Sequence, residues 1–413
     1  MRHFAMLLLL PVLGGCSLFG KDSSLVLQDL QLQVAPVWAV QTGELPENAN
    51  VQLTPFVQGD RLYVANVSGD VAAVDGRDAR VLWITDTGEW LTGGPAADAE
   101  MVLVGSIKAE LIALGAEDGK PLWRSRICSE MLSPPVISAD KILLQCIDGY
   151  VMALSRADGS RIWSYRRQPP TLTLRGTSSP LVVGKRVIVG FADGTLVSLA
   201  LETGKLEWES TVAVPRGRND LERMVDIDGL LQYADGAVYA ASYQGRVAAV
   251  SIENGRFLWT REMSSYSGIE LGDSQLFISD DQGRVWALDR RTGATLWRQD
   301  RFAGHVISAP AVMGPAVAVA DELGDIHWLD ARDGHVLAAQ NITEAWEYFH
   351  YQWEDEEGDQ EKPDHAITTY PVVTDEFLFV RDNTGALVAF RIQAVTRDAT
   401  TGEAADTPVQ DAS

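Results

Sequence analysis

Apolar residues in this chain come in short runs separated by turns rich in Gly, Asp and Asn. Runs such as "VIVG", "LLQC" and "AVAVA" are too short for helices and lack a 3.6-residue period, so they read as strands buried on both faces. One phrase then recurs. "FADGTLVSLALETGKLEWES" (residues 191–210) is an apolar run, a Thr-Gly turn and a second strand, with Trp208 following Gly204. It returns as "SGDVAAVDGRDARVLW", "KAELIALGAEDGKPLW", "DGYVMALSRADGSRIW", "QGRVAAVSIENGRFLW", "QGRVWALDRRTGATLW" and, more loosely, "LGDIHWLDARDGHVLA". A last copy, "TGALVAFRIQ", stops before its turn. Two further strand-like segments precede each hairpin, as in "SSPLVVGKRVIVGFADGTLVSLALETGKLEW", which makes four strands per unit.

The terminal tryptophans stand at 83, 123, 163, 208, 259 and 297, with Ala338 in the seventh slot. Units of about 40 residues with four strands each predict an all-β, eight-bladed β-propeller of four-stranded antiparallel blades. Within each hairpin a small residue lies ten positions before the tryptophan, as in Ala73 and Trp83 or Ser198 and Trp208. A three-residue loop with Gly204 left-handed would set them opposite each other. In the seventh unit the sizes are exchanged, Trp328 before Ala338, as a packed layer of fixed volume requires. The eighth unit has Ala389 but no tryptophan after it, whereas "VAPVWAVQ" near the N-terminus supplies Trp38. The N-terminal strand therefore completes the last blade, residues 35–41 pairing with 386–392 and Trp38 facing Ala389, because an open ring would leave two unpaired edges.

Composition adds limits. The 413 residues are 46% hydrophobic, and Lys+Arg 34 against Asp+Glu 57 makes the chain acidic, which excludes phosphate-backbone binding and so nucleic acid as a partner. "MRH", "FAMLLLLPVL" and "LGGC" form a basic start, an apolar stretch too short to span a bilayer, and a small-residue ending, so residues 1–15 read as a signal peptide. Export places the chain in an oxidising compartment, where Cys128 and Cys146 are either a disulfide or two separate buried thiols. Between the seventh and eighth units, residues 343–366 form an insertion, aromatic first and acidic after. Its acidic half reads as a solvated loop rather than a cation site, and residues 393–413 as a disordered tail.

The Leu-Gly-Gly-Cys ending resembles the lipobox of bacterial lipoproteins, which implies that Cys16 is lipidated, that residues 16–34 are anchor and tether, and, from Ser17, that the protein sorts to the outer membrane. The phrase A-L-x-x-x-T-G-x-x-x-W is similar to the repeat of pyrroloquinoline-quinone dehydrogenases. Repeat, lipobox and the lack of further domains together resemble the BamB family, propeller lipoproteins of the outer-membrane β-barrel assembly machinery, over roughly residues 1–392. The resemblance implies a non-enzymatic scaffold without cofactor on the periplasmic face. Its partners would be the POTRA domains of a BamA-like barrel-inserting subunit and, as a further class, nascent outer-membrane proteins.

Two intervals are long. Trp163 to Trp208 spans 45 residues and Trp208 to Trp259 spans 51, against 38 to 41 elsewhere. The extra residues, "SYRRQPPTLTLRGTSSP" and "VAVPRGRNDLERMVDIDG", carry Arg166, Arg167, Arg175, Arg216, Arg218 and Arg223, with Leu172 and Leu174 among the charges. Leucine and arginine ringed by polar residues suit a transient protein interface. The family's L-x-L-R segment matches Leu172, Leu174 and Arg175, and its D-x-D matches Asp226 and Asp228, which the resemblance makes partner-binding residues. The alternative is a periplasmic quinoprotein dehydrogenase. It would need a quinone pocket and a calcium site. The chain has no adjacent Cys-Cys pair, no CxxCH and no metal-ligand spacing among its six histidines.

Overall fold

The computed structural model describes residues 32–43, 51, 53–174, 176–350, 366–367 and 369–394. The signal peptide, Cys16, most of the tether, Arg175, the acidic half of the insertion and the tail from 395 lie outside the described residues.

Eight four-stranded antiparallel sheets form the blades of a propeller, each ordered from an innermost to an outermost strand. Blades 1 to 7 run in sequence from Phe56–Gln58 to Val336–Asn341. The eighth takes three strands from the C-terminal end and its outermost strand, Leu32–Gln41, from the N-terminal end. Trp38 pairs with Ala389, as the sequence predicts. The closing strands are longer than expected, Leu32–Gln41 against Ala386–Ala394. Residues 32–34 and 393–394 thus belong to the blade rather than to tether and tail, because Leu32 is buried among blade 7 and blade 8 side chains. Arg381, fully buried in blade 8, completes the closure by donating to Thr42 Oγ1 at 3.0 Å and Ala65 O at 2.9 Å.

The small-to-large pairing holds in blades 1 to 7 as well: Ala73 with Trp83, Ala113 with Trp123, Ala153 with Trp163, Ser198 with Trp208, Ala249 with Trp259, Ala287 with Trp297, and Trp328 with Ala338. The turn that produces it differs from expectation. Ala200 and Lys205 close a loop of four residues, 201–204, and a bulge between Ser198 and Leu199 restores the register. Gly204 is left-handed at φ 65°.

Each outer-strand tryptophan also joins its blade to the next. The indole N–H of Trp38, Trp83, Trp123, Trp163, Trp208, Trp259 and Trp297 donates to a turn carbonyl of the following blade, at 2.8 to 3.2 Å. Blade 7 has Ala338 in that slot, and the indole N–H of its inner Trp328 has no partner among the described residues. Here a helix, Ile342–His350, packs against the outermost strands of blades 7 and 8 with Ile342 and Ala345 buried. Asn341 caps it by accepting from Thr343 N at 2.9 Å.

Because strands alternate in direction, the connections between blades and the turns between second and third strands emerge on one face. They bond to each other there, as Ile107 N to Trp90 O at 2.9 Å and Tyr243 N to Asp226 O at 2.8 Å.

Candidate functional site

The two long connections lie on this loop face. The first follows Arg161–Arg166 and the second follows Leu206–Thr211, so they straddle blade 4. Leu174 and Thr173 from the first meet Asp226 and Asp228 from the second across a cleft of about 230 Å³, floored by Gln145 and Phe191. Three of the five predicted partner-binding residues thus line one cleft. Leu172 is exposed on the same connection, Leu174 is half-buried, and Arg175 lies outside the described residues. Gly176 is needed here, since a Cβ on it would lie 2.6 Å from Asp228 Oδ2.

The second connection runs inward at its end. Val225 and Ile227 are buried, and Tyr243 N holds the Asp226 carbonyl. Strand alternation would turn Asp226 and Asp228 outward, yet Asp226 is only 2% exposed, because the first connection covers it. Asp226 Oδ2 and Asp228 Oδ1 have no hydrogen-bond partner among the described residues. Burial, and then the charge of Asp228, raises the Asp226 pKa far above the carboxylate range; burial raises that of Asp228 as well. Two carboxylates this close and this withdrawn from solvent share a proton at neutral pH. The pair is therefore poised to gain from an incoming cation or donor.

The expected basic cluster divides in two. Arg167 is a strut: its guanidinium pairs with Asp193 at 2.5 Å and Glu209 at 2.9 Å, and donates to Thr195 Oγ1 at 3.0 Å. Arg166 lies over the Tyr150 ring. Arg216, Arg218 and Arg223 are exposed and make no ion pair among the described residues. Sequence reasoning missed Val214 and Leu221, exposed at 54% and 64%, which extend the apolar surface of the second connection. Both stand among loop charges, the same signal that marked Leu172.

Cys128 and Cys146 form a disulfide, their Cα atoms 6.3 Å apart, which settles the open alternative. It ties the connection entering blade 3 to that blade, and Cys146 borders the cleft. Three groups of acidic, His or Cys side chains come close enough to consider as metal sites among the described residues, and none of them includes the Asp226–Asp228 pair.

Comparison with known proteins places the chain. Residues 67–299 match the family model described as outer membrane protein assembly factor BamB. The BamB of Pseudomonas aeruginosa is 40% identical over 396 residues, 95% of this chain and 99% of that protein. The BamB of Alkalilimnicola ehrlichii is 49% identical over 73% of this chain and 79% of its own length. Among solved structures, BamB from Moraxella catarrhalis superposes with a TM-score of 0.75 at 25% identity, covering 87% of this chain and all of that one. A quinohemoprotein alcohol dehydrogenase from Comamonas testosteroni, TM-score 0.67 at 13% identity over 92% of this chain and 79% of that one, shares the fold alone. The chain therefore belongs to the BamB family of outer membrane protein assembly factors.

Proposed function

We propose that this protein is a non-enzymatic scaffold of the outer-membrane protein assembly machinery, held by lipid on Cys16 at the periplasmic face. It docks the POTRA domains of the barrel-inserting subunit, BamA, in the cleft beside blade 4. The observation that carries this reading is the cleft with its two long connections: Leu172 and Leu221 exposed on them, and two carboxylates withdrawn from solvent, each with one oxygen lacking a hydrogen-bond partner. Apolar side chains ringed by polar and charged groups form the centre and rim of a transient interface. Leu172, Leu174 and, by its place in the sequence, Arg175 supply the contact from the first connection, Asp226 and Asp228 from the second. Assistance to inserting barrels follows from holding that subunit in place.

The test is co-purification from detergent-solubilised outer membranes, followed by binding of the isolated POTRA domains. The unmodified protein retains the partner, and a Leu172→Ala, Leu174→Ala, Arg175→Ala variant loses it. A variant that retains it removes the cleft assignment. A Cys16→Ala variant that still sediments with membranes after a high-salt wash removes the anchor.

A further inference from the structure

The turns between second and third strands repeat from blade to blade, so each serves as a control for the others. Blade 6 reads "DDQGRVW" over residues 280–286 and blade 7 reads "DELGDIH" over 321–327. The two turns share one backbone. Asp280 N donates to Arg284 O and Asp321 N to Asp325 O, each at 2.9 Å. Asp280 Oδ1 accepts from Gln282 N and Arg284 N at 3.0 and 2.9 Å, and Asp321 Oδ1 accepts from Leu323 N and Asp325 N at the same two distances.

The second carboxylate oxygen separates them. In blade 6, Asp280 Oδ2 accepts from Arg284 Nε at 2.6 Å and from the Trp286 indole at 2.8 Å, so the buried charge is met by a cation and a donor. In blade 7 the arginine slot holds Asp325 and the indole slot His327, which puts a second carboxylate where the cation stood. Asp325 and His327 lie two apart at the start of strand Asp325–Asp330 and so share a face. Asp321 is 4% exposed and His327 6%, and no lysine or arginine pairs with Asp321 or Asp325 among the described residues. Burying such a group without a compensating charge is costly.

A protonated His327 is the simplest compensation, and the geometry does not fit it. An imidazolium holds a carboxylate at about 2.7–2.9 Å and needs an acceptor on each nitrogen. His327 Nε2 stands 3.4 Å from Asp321 Oδ2, and its buried Nδ1 has no partner among the described residues. A separation of this size is that of two ligands on one ion: with bonds of about 2.0–2.1 Å and a tetrahedral angle, ligand atoms lie about 3.3–3.4 Å apart. One ligand atom from each of Asp321, Asp325 and His327 comes within 4.8 Å of the other two. Outer contacts already orient two of them: Asn341 Nδ2 donates to Asp325 Oδ1 at 2.8 Å, and the His327 ring lies against Phe302 with centroids 4.4 Å apart.

We propose that Asp321, Asp325 and His327 bind one divalent transition-metal ion of the zinc class, in the place that the Arg284 guanidinium takes in blade 6. The imidazole sets the class, because calcium and magnesium take oxygen ligands. The half-buried side at Asp325 admits the ion and leaves its fourth position to water. The ion ties the turn to its strand and, through Asn341, to the cap of the helix Ile342–His350, on the blade whose outer strand carries Ala338 in place of tryptophan. The Asp-x-x-x-Asp-x-His spacing shows as a site only when one blade is laid over the next. The proposal is independent of what docks beside blade 4.

The test uses the full mature chain in detergent, stripped with EDTA and returned to chelator-free buffer. Zinc is titrated by calorimetry and cobalt by visible absorption, with calcium and magnesium as controls, and thermal midpoints are read with and without zinc. The parent should take up one zinc ion at this site and gain about 3–4 °C at a hundredfold excess over Kd. Asp325→Asn and His327→Gln should each weaken binding at least tenfold. Asp333→Asn with His335→Gln should leave it unchanged, which separates the exposed group of Asp330, Asp333 and His335. Asp325→Arg, which recreates the blade 6 pair, should melt above the metal-free parent and lose its response to zinc. No saturable zinc binding, parent affinity in Asp325→Asn or Asp325→Arg, loss of binding in the Asp333 and His335 variant instead, or calcium bound as tightly as zinc, each overturns the proposal.

Discussion

The blade junctions and the docking cleft are made of the same connections, built to opposite rules. At seven junctions a buried or half-buried tryptophan packs at the next blade and its N–H is satisfied by a carbonyl, as Trp163 by Leu201 O at 2.8 Å. In the cleft two connections of extra length leave carboxylate oxygens unpartnered and leucines in solvent. Repetition marks what the ring needs to hold together. Interruption of the repeat marks where it is free to do something else, since satisfied groups stabilise and unsatisfied ones wait for a partner.

The sharpest break of this contrast is Trp163→Ala. It empties a buried site and orphans the Leu201 carbonyl, so unfolding should be easier by about 3–5 kcal/mol, read by urea or thermal denaturation. The cleft should answer in the reverse sense. Replacing Leu172, Leu174 and Arg175 by alanine should cost at least about 2 kcal/mol of partner affinity, roughly thirtyfold in Kd. Stability should stay within about 0.5 kcal/mol, as for other surface changes. A large loss of stability in this variant, or a small one in Trp163→Ala, would erase the distinction.

Asp226→Asn probes the unsatisfied side. A carboxylate whose pKa is raised in the folded state binds its proton more tightly there than when unfolded. Its contribution is therefore fully present below the unfolded pKa near 4, and stability declines as pH rises through neutrality towards the folded value. An amide at this position does not titrate and removes that decline. The variant should therefore be more stable than the parent by about 1–3 kcal/mol at pH 8 and nearly equal at pH 4. It should also bind POTRA domains less well. Thermal midpoints across this range check the sign, and a parent that gains stability with pH contradicts the shared proton.

The ring was legible because its signals are periodic and local. Small-to-large pairs ten residues apart fix the register, and Trp38 finds Ala389 from the far end of the chain by the same rule. The bulge beside Ser198 was invisible because a three-residue loop and a four-residue loop plus bulge give the same offset. The helix Ile342–His350 was missed although its marks are present: Asn341 as cap, Ile342 and Ala345 three apart, and Trp346 stacked on His350 four residues on. The aromatic content hid them. In the cleft, loop length and leucines among charges pointed to the right connections. Burial of Asp226 was not readable, because it depends on a covering loop from another blade, as does the strut made by Arg167.

The smallest effect tests the ring at its closure. In blades 2 to 7 the hairpin turn places a left-handed glycine beneath the tryptophan of the blade before it; a Cβ on Gly204 would lie 2.5 Å from Trp163 Cε3, and one on Gly119 2.6 Å from Trp83 Cε3. Alanine there would push the indole out. Blade 1 has Ala79 in this position, left-handed at φ 62°, packed on the cluster that holds Trp38. Left-handed backbone costs a residue with a Cβ about 1–2 kcal/mol, while glycine loses about 0.5–1 kcal/mol more in ordering, and the methyl contact is forfeited. Ala79→Gly should therefore stabilise the protein by only about 0.5 kcal/mol, whereas Gly204→Ala should destabilise it. Paired urea titrations measure both. If Ala79→Gly destabilises, the methyl is packing against Trp38 strongly enough to outweigh the strain, and the closing junction is built differently from the six that repeat the glycine.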